Sequence, residues 1–271
     1  MTANNLHREL APISDAAWDE IEDDARTQFT RTIAGRRVVD VTEPKGLDFS
    51  ALSTGRLTDG PSATDGVETR TREVYPVVEL KVPFTLERAE LDAVLRGAVD
   101  ADVDAVRAAA RRIAIAEDRI VFHGTKDGAI PGIVRSSDNE PVELPSDTAE
   151  LPGAVAEALN KLRREGVEGP YNLLLSEELY TKVLQETDHG YPIRQHIERV
   201  LREDGRLIWA PALDGALLVS ARGGDYELHL GQDLSIGYTS SDTNAVELYL
   251  QESFTFAVAS EEAGVAIAEP N

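Results

Sequence analysis

The chain has 271 residues, 42% of them hydrophobic and 6% aromatic, which is enough to bury a sizeable core. Its 49 acidic and 27 basic residues give a formal net charge of −22, and a surface of that sign repels nucleic acid. Cysteine is absent, which excludes disulfides, thiolate nucleophiles and cysteine-based metal sites.

The charge and the start of the chain also bear on partners and location. Residues 1–13 contain no apolar stretch typical of a signal peptide, and nowhere do about 18 apolar residues run together. We therefore expect a cytoplasmic protein with no membrane partner. The acidity favours a cationic partner, such as metal ions or a basic peptide, but it is equally explained by solubility or by a salt-rich cytosol.

The first predicted element is an amphipathic helix. Ser14 or Asp15 can cap it, and Gly35 can end it. Between them, apolar residues from Trp18 to Ile33 recur at spacings of three and four, opposite a run of carboxylates. Such a stripe docks either on the chain's own core or on another molecule.

A long segment without helical period follows. Gly, Pro, Thr, Ser and Asp dominate residues 42–66, which predicts a loop or arm. Residues 69–82 partly alternate and are rich in β-branched side chains, which predicts a strand with Pro76 at an edge or bulge. Structureless loops beyond about 12–15 residues normally have a function or a partner. We therefore expect this arm to wrap a neighbouring subunit.

The rest of the chain mixes helices and strands. Helices are predicted at 85–99 and 102–122, and the second has one continuous apolar face and is interpreted as the spine of the fold. Further predictions are a helix near 149–165, a strand at 171–175, a helix opened by Ser176, an exposed loop at 187–192, a short helix at 193–201 and strands from Leu207 onward. This order predicts an α+β fold and argues against a doubly wound nucleotide-binding sheet.

No catalytic or metal-binding constellation stands out. The five histidines are scattered, and the chain holds no HExxH, GxGxxG, GxxxxGK[ST] or GxSxG pattern. Acidic pairs such as Glu117-Asp118 and Glu177-Glu178 lie in helical contexts, where adjacent residues do not face each other, and solvated faces explain them. We therefore predict a protein without enzymatic activity, cofactor or metal site.

Short motifs along nearly the whole chain resemble a known family. They are LHRELAPI at 6–13 with Trp18, AGRRVVDV at 34–41 with Pro44 and Gly46, PFTL at 83–86 with Glu90-Leu91-Asp92, Glu117-Asp118 with Ile120 and Phe122, Gly169-Pro170-Tyr171, HGYPI at 189–193, RGGD at 222–225, LGQDLSIGY at 230–238, and Glu252 with Phe254-Thr255-Phe256. In this order they resemble the type 1 encapsulins, linocin-like nanocompartment proteins that share the HK97-like fold of tailed-phage capsids.

The resemblance implies a domain organisation. It divides the chain into residues 1–45 as an N-terminal arm and helix, 46–83 as an extended E-loop, 84–134 and 224–271 as a P-domain with the long spine helix, and 135–223 as an A-domain. In this family the E-loop pairs with a neighbouring subunit, which supplies the partner that the predicted arm lacks.

The resemblance also implies a function. Encapsulins self-assemble into icosahedral shells, of about sixty copies at the smallest, around cargo proteins that carry a C-terminal targeting peptide. The cargo is commonly a ferritin-like iron oxidase or a dye-decolourising peroxidase, which serve iron storage and the response to oxidative stress. One alternative is an HK97-type phage or prophage major capsid protein, which packages DNA. A bacteriocin or protease activity is the other, and no nucleophile or acid–base pair supports it.

Two groups of site residues are carried over from the family. The cargo peptide is expected on the luminal face, at Phe29, Ile33, Arg36, Val38, Asp40, Leu234 and Ile236. Core packing is the alternative explanation of Phe29 and Ile33. The pore on the five-fold axis is expected at Asp188, His189, Gly190 and Tyr191. A ring of carboxylates there favours small cations, and the alternative is a loop tip without selectivity.

Overall fold

The computed structural model of the chain describes residues 5–62, 64–202 and 204–269, and its mixed helices and sheets confirm the predicted α+β class. The helices are α1 Asp15–Thr32, α2 Arg88–Leu95, α3 Asp104–His123, α4 Ile133–Ser136, α5 Leu151–Arg164, α6 Glu177–Gln185 and α7 Ile193–Leu201. The strands are β1 Asp40–Val41, β2 Ala51–Gly60, β3 Thr69–Pro76, β4 Val78–Glu87, β5 Val142–Glu143, β6 Tyr171–Leu175, β7 Thr187–Asp188, β8 Tyr191–Pro192, β9 Arg206–Trp209, β10 Ala216–Ser220, β11 Tyr226–Ser241, β12 Ala245–Val258 and β13 Gly264–Ala268.

The strands form two larger sheets and two isolated ribbons. A four-stranded sheet has the order β1-β11-β12-β4, with β1 parallel to β11 and the other pairs antiparallel. A five-stranded sheet has the order β5-β13-β10-β6-β9, with parallel outer pairs around an antiparallel centre. The pairs β2-β3 and β7-β8 stand apart from both sheets. Neither sheet is the parallel, doubly wound kind.

The first hydrophobic core lies between the four-stranded sheet and two helices. The spine helix α3 packs on β4 and β12, and α1 packs on α3. Ser14 caps α1 by accepting a hydrogen bond from the Ala17 N–H at 3.3 Å. The stripe of α1, including Trp18 and Phe29, is buried in this core. Both predicted helices are therefore confirmed, and most of the α1 stripe packs within the chain.

The second core surrounds the five-stranded sheet. Leu173, Leu174 and Leu175 are consecutive residues of β6 and are all fully buried. Since successive strand residues point to opposite faces, both faces of this sheet are covered. Helices α5, α6 and α7 contact it. The division into domains stays a prediction; β13, which falls in the predicted range 224–271, pairs with β10 in this sheet.

Three predicted elements differ from those observed. The single strand predicted at 69–82 is wrong, because the chain breaks at Val77 into β3 and β4, which belong to different sheets. The helix predicted at 85–99 is wrong over its first residues, which belong to β4, because Phe84 and Leu86 alternate into the core and pair with β12. The helix there is confined to α2. The loop predicted at 42–66 is wrong over Ala51–Gly60, which forms β2 and pairs with β3. β2 has no buried residue, so its sequence lacks the alternation that marks a half-buried strand.

The ribbon of β2 and β3, residues 51–76, is called the arm below. None of its described residues is fully buried, and within the described chain its strands pair only with each other. Leu57 is 55% exposed and Val74 is 44% exposed. The arm joins the core at Val77, whose N–H donates to the Ser50 carbonyl at 2.9 Å before the chain enters β4. It is a ribbon that carries exposed apolar side chains and joins the core at its base.

Candidate functional site

A groove runs between the C-terminal half of α1 and strand β11. Its volume is about 590 Å³. The residues that line it are Leu6, Arg8, Glu22, Ala25, Arg26, Phe29, Thr30, Ile33, Arg36, Arg37, Asp233, Leu234, Ser235 and Ile236. Five of the seven predicted cargo-binding residues are therefore brought together in one place.

The apolar lining of the groove follows from the periods of the two elements. Ala25, Phe29 and Ile33 are spaced by four along α1 and its end, so they share one helix face. Leu234 and Ile236 are two apart on β11 and share one strand face. Phe29 and Ile33 are mostly buried in the core and present only their remaining surface to the groove.

Arg36 is held at the groove wall by three carboxylates. Its Nε lies 2.8 Å from Glu117 Oε1, and its Nη2 lies 2.6 Å from Glu117 Oε2 and 3.2 Å from Glu252 Oε2. Its Nη1 lies 2.8 Å from Asp233 Oδ1. The guanidinium also lies over the Phe29 ring, 4.9 Å from its centroid. Since arginine has five N–H donors, at most one is left for an occupant of the groove.

Two of the carboxylates that bind Arg36 lie in the interior of the protein. Glu117 and Glu252 are both fully buried. Burial, and then the charge of Glu117, raise the pKa of Glu252 well above its ordinary value. Burial opposes the charge of Arg36, but the hydrogen bond and charge of Glu117 outweigh it and raise the pKa of Arg36. The surroundings therefore favour the charged guanidinium of Arg36 and disfavour a charge on Glu252.

The turn after α1 is tied to the spine helix by Asp118. Its Oδ2 accepts the Ala34 N–H at 2.9 Å and its Oδ1 accepts the Gly35 N–H at 2.7 Å. Burial raises the pKa of Asp118 to about 7, although these two hydrogen bonds act in the opposite direction. A Cβ on Gly35 would lie only 2.9 Å from Asp118 Oδ1 and 3.2 Å from Val121 Cγ1, so glycine permits the close approach.

The other two predicted cargo-binding residues lie elsewhere. Val38 and Asp40 line a separate cavity of about 130 Å³ beside Tyr226. Val38 is buried, and Asp40 Oδ2 accepts the Gly224 N–H at 2.6 Å. The chain passes through a 3₁₀ turn at Gly35–Arg37 and then runs along β11 as β1, which carries these residues away from the groove.

The interpretation of Glu117 and Asp118 as a solvated pair is wrong, because both are fully buried. A signal for Glu117 exists in the sequence: it lies four residues after Ile113 and four before Val121, on the apolar face of α3. Glu252 likewise lies between Leu250 and Phe254 on the buried face of β12. A carboxylate on an apolar face indicates a buried cationic partner. Sequence reasoning missed both.

The predicted pore residues form one exposed hairpin tip. β7 and β8 are joined by His189 and Gly190, whose φ angles of 46° and 86° are those of a type I′ turn. The His189 side chain is 96% exposed, and its Nε2 lies 3.7 Å from Asp188 Oδ1. Tyr191 is exposed and meets the His196 ring edge-on. The turn thus presents all four residues together, outside both cores.

Two features are absent from residues 5–62, 64–202 and 204–269. No helix there is both long and apolar enough to cross a bilayer. No group of three or more histidine, cysteine, aspartate or glutamate side chains in those ranges is arranged to hold a metal ion.

Solved structures share this architecture at low sequence identity. A virus-like particle from Pyrococcus furiosus superimposes with a TM-score of 0.63 and 17% identity, over 91% of this chain and 97% of that chain. The capsid of Myoviridae phage XM1 superimposes with a TM-score of 0.55 and 12% identity, over 86% of this chain and 90% of that one. These likenesses confirm the predicted HK97-like capsid fold.

Sequence comparisons are more specific. The model of a family described as "encapsulating protein for peroxidase" matches residues 3–255. A type 1 encapsulin shell protein from Brevibacterium linens is 55% identical over 97% of this chain and 98% of its own length. Another from Mycobacterium tuberculosis is 51% identical over 97% of this chain and 99% of its own length. The chain belongs to the family of type 1 encapsulin shell proteins.

Proposed function

We propose that this chain is the self-assembling subunit of a closed icosahedral nanocompartment in the cytoplasm, built from about sixty copies or as a larger shell. The observation that carries the proposal is the arm. A two-stranded ribbon is marginally stable by itself in water, and the arm carries exposed Leu57 and Val74 outside both cores. A neighbouring copy covers them, and closed symmetry supplies such a copy to every subunit.

The groove beside α1 is proposed as the docking site of a cargo targeting peptide. Phe29, Ile33, Leu234 and Ile236 offer an apolar floor for aliphatic anchors. Four of the five N–H donors of Arg36 are already bonded to carboxylates of the same chain. Arg36 therefore shapes the wall and orients a peptide through at most one hydrogen bond. The main grip on the peptide is then apolar.

The shell is proposed to leave the chemistry to its cargo. The matched family is described as encapsulating a peroxidase, and we extend this to cargo of the peroxidase or ferritin-like iron-oxidase type. The hairpin tip with Asp188 and His189 is proposed to line the pore through which small cations reach that cargo. A phage capsid function is less well supported, because the likeness to phage capsids concerns the fold alone.

Assembly is tested at Leu57 on the arm. We expect Leu57→Asp to convert large particles into small oligomers in sedimentation velocity, because a carboxylate desolvated at the contact opposes burial. The matched variant Leu57→Met keeps an apolar side chain and should assemble like the wild type. Circular dichroism of both variants should match the wild type. Full assembly of Leu57→Asp would remove the arm from the proposal.

Docking is tested at Leu234 on the groove floor. Co-expression of a peroxidase carrying its C-terminal peptide with Leu234→Asp shells should give empty particles, because the charge enters the apolar floor. Asp40→Asn, which alters the separate cavity, is the control and should load cargo normally. Particle yield and cargo stoichiometry by mass photometry are the readouts. Full loading of Leu234→Asp would place the peptide elsewhere.

A further inference from the structure

The segment that leads from the core into the arm is hydrogen-bonded to strand β11. Three backbone N–H groups donate to β11 carbonyls: Thr42 to Leu228 at 3.0 Å, Lys45 to Leu230 at 3.0 Å, and Gly46 to Gly231 at 2.8 Å. At Gly46, where φ is 99°, the chain turns away toward β2. This stretch, residues 42–46, is called the arm root.

A buried histidine lies directly beneath the arm root. His229 on β11 is 7% exposed, and its Nδ1 lies 3.2 Å from Lys45 Nζ. Its Nε2 lies 2.9 Å from Glu227 Oε2. A lysine ammonium can only donate, so Nδ1 is the acceptor and the ring proton sits on Nε2, which donates to Glu227. The geometry therefore assigns a neutral ring with a defined tautomer.

Lys45 connects this ring to the first residues beyond the root. Its Nζ also lies over the Phe49 ring, 4.6 Å from the centroid. Phe49 in turn donates its N–H to the Gly46 carbonyl at 3.3 Å. One ammonium thus bridges the core strand and the base of the arm.

We propose that Lys45, His229 and Glu227 form a proton-sensitive latch that holds the arm root to the core while His229 is neutral. When the ring takes up a proton, Nδ1 becomes a donor and can no longer accept from Lys45. Two positive charges then face each other across 3.2 Å, and Lys45 is driven off the ring. The inference rests on the proposed function, because the arm is the element that meets the neighbouring copy.

The charges around the ring support this direction. Burial first, and then the charge of Lys45, lower the pKa of His229, while Glu227 acts in the opposite sense. From the neighbouring strand β12, the residue in register with His229 is the uncharged Thr255. From β1, Asp40 is in register with Glu227 and is already bonded to the Gly224 N–H. Lys45 and Glu227 are the charged groups that face the ring from the arm root and from its own strand.

The sign of the pH effect follows from this lowered pKa. A histidine whose folded pKa lies below its unfolded value of about 6.5 loses stabilisation as the pH falls through that unfolded value. The loss is complete below the folded pKa. Each unit between the two values changes the closing equilibrium about tenfold.

Hydrogen exchange of the arm-root amides tests the latch in the full-length protein. We expect exchange of the Thr42, Lys45 and Gly46 amides, corrected for intrinsic rate, to accelerate between pH 7.5 and 5.5 in the wild type. The limit is about tenfold, because the unfolded value of about 6.5 lies one pH unit above the lower pH. His229→Gln keeps an acceptor and a donor but cannot titrate, so its amides should stay protected throughout. Lys45→Met removes the bridge, so its amides should exchange fast throughout. His189→Gln, at the exposed hairpin tip, is the matched control and should follow the wild type.

Three outcomes would overturn the latch: a flat wild-type profile, a His229→Gln profile with the wild-type slope, or arm-root amides that stay protected in Lys45→Met. Light scattering on the same samples reports whether particles form. A failure of shell assembly is thereby seen separately, since arm-root exchange is measurable in any oligomeric state.

Discussion

The C-terminal end of α1 and the arm differ in how far the chain itself pairs their polar groups and covers their apolar side chains. At the end of α1, Asp118 accepts hydrogen bonds from two backbone N–H groups. All but one of the N–H donors of Arg36 are bonded to carboxylates of the same chain. In the arm, the strands bond only to each other within the described chain, and apolar side chains face outward. One region is completed by the chain itself, and the other is proposed to be completed by a second copy.

This difference separates the two proposed roles. A groove wall that docks a peptide must keep its shape before the peptide arrives, and the carboxylate cluster around Arg36 provides that rigidity. An assembling element must remain incomplete until its neighbour arrives, and the arm meets that condition. Substitutions in the two regions should therefore differ in their effects on stability and assembly.

Two matched arginine substitutions give the sharpest contrast. Arg36→Met leaves Glu117 and Glu252 buried without their cation, and we expect the free energy of unfolding to fall by about 3–5 kcal/mol. Arg72→Met on the exposed arm should change it by less than about 0.5 kcal/mol. Urea denaturation in the Leu57→Asp background keeps assembly from contributing. Equal losses in both variants would contradict the contrast.

Gly35 tests the close approach of the turn after α1 to the spine helix. Gly35→Ala places a methyl group against the Asp118 carboxylate and Val121, and we expect a loss of about 1–3 kcal/mol in the free energy of unfolding. Gly153→Ala on α5, where no atom lies within 4 Å of the added Cβ, is the control and should not destabilise. An unchanged stability for Gly35→Ala would show that the turn is not packed as described.

Asp118 gives the end of α1 a pH dependence. Its folded pKa of about 7 lies above the value in an unfolded chain, so its stabilising contribution is present at low pH and is lost as the pH rises through 7. The difference in unfolding free energy between the wild type and Asp118→Asn should therefore decline from about pH 4 to about pH 7. Urea titrations at several pH values measure it. A difference that rises with pH would refute the assignment.

The hairpin tip should be the most tolerant region. Asp188→Asn changes a partly exposed side chain, so the free energy of unfolding should change by less than about 0.5 kcal/mol. If the tip lines a pore, cation entry into shells should slow, because a ring of negative charge is removed. Stopped-flow uptake of a divalent cation into shells is the measurement, with Asp19→Asn on the exposed face of α1 as the matched control. Unchanged uptake would favour an exposed loop without selectivity.

Sequence patterns predicted the long elements that bury one face and missed β2, which buries none. The apolar stripes of α1 and α3 made both helices predictable from the sequence. The arm strand β2 buries no face, so its sequence resembles a loop until its partner strand is seen. The start of α2 was misplaced because Phe84 and Leu86 continue the alternation of β4.

The candidate site was predictable only in part, for a physical reason. Resemblance to the encapsulins brought Phe29, Ile33, Arg36, Leu234 and Ile236 to attention, and the fold unites them. The carboxylates that hold Arg36 come from α3, β11 and β12, more than 80 residues away along the chain. Only tertiary structure brings such distant residues together. Val38 and Asp40 diverge from the groove because β1 runs along β11.

The claim that the arm is completed by neighbouring copies in a closed shell is tested most directly by cryo-electron microscopy of the purified wild-type protein. We expect isometric closed particles in which the arm of each subunit lies against another subunit, so that Leu57 and Val74 are covered. Discrete small oligomers at moderate salt, or closed particles whose arms remain free in solvent, would contradict it.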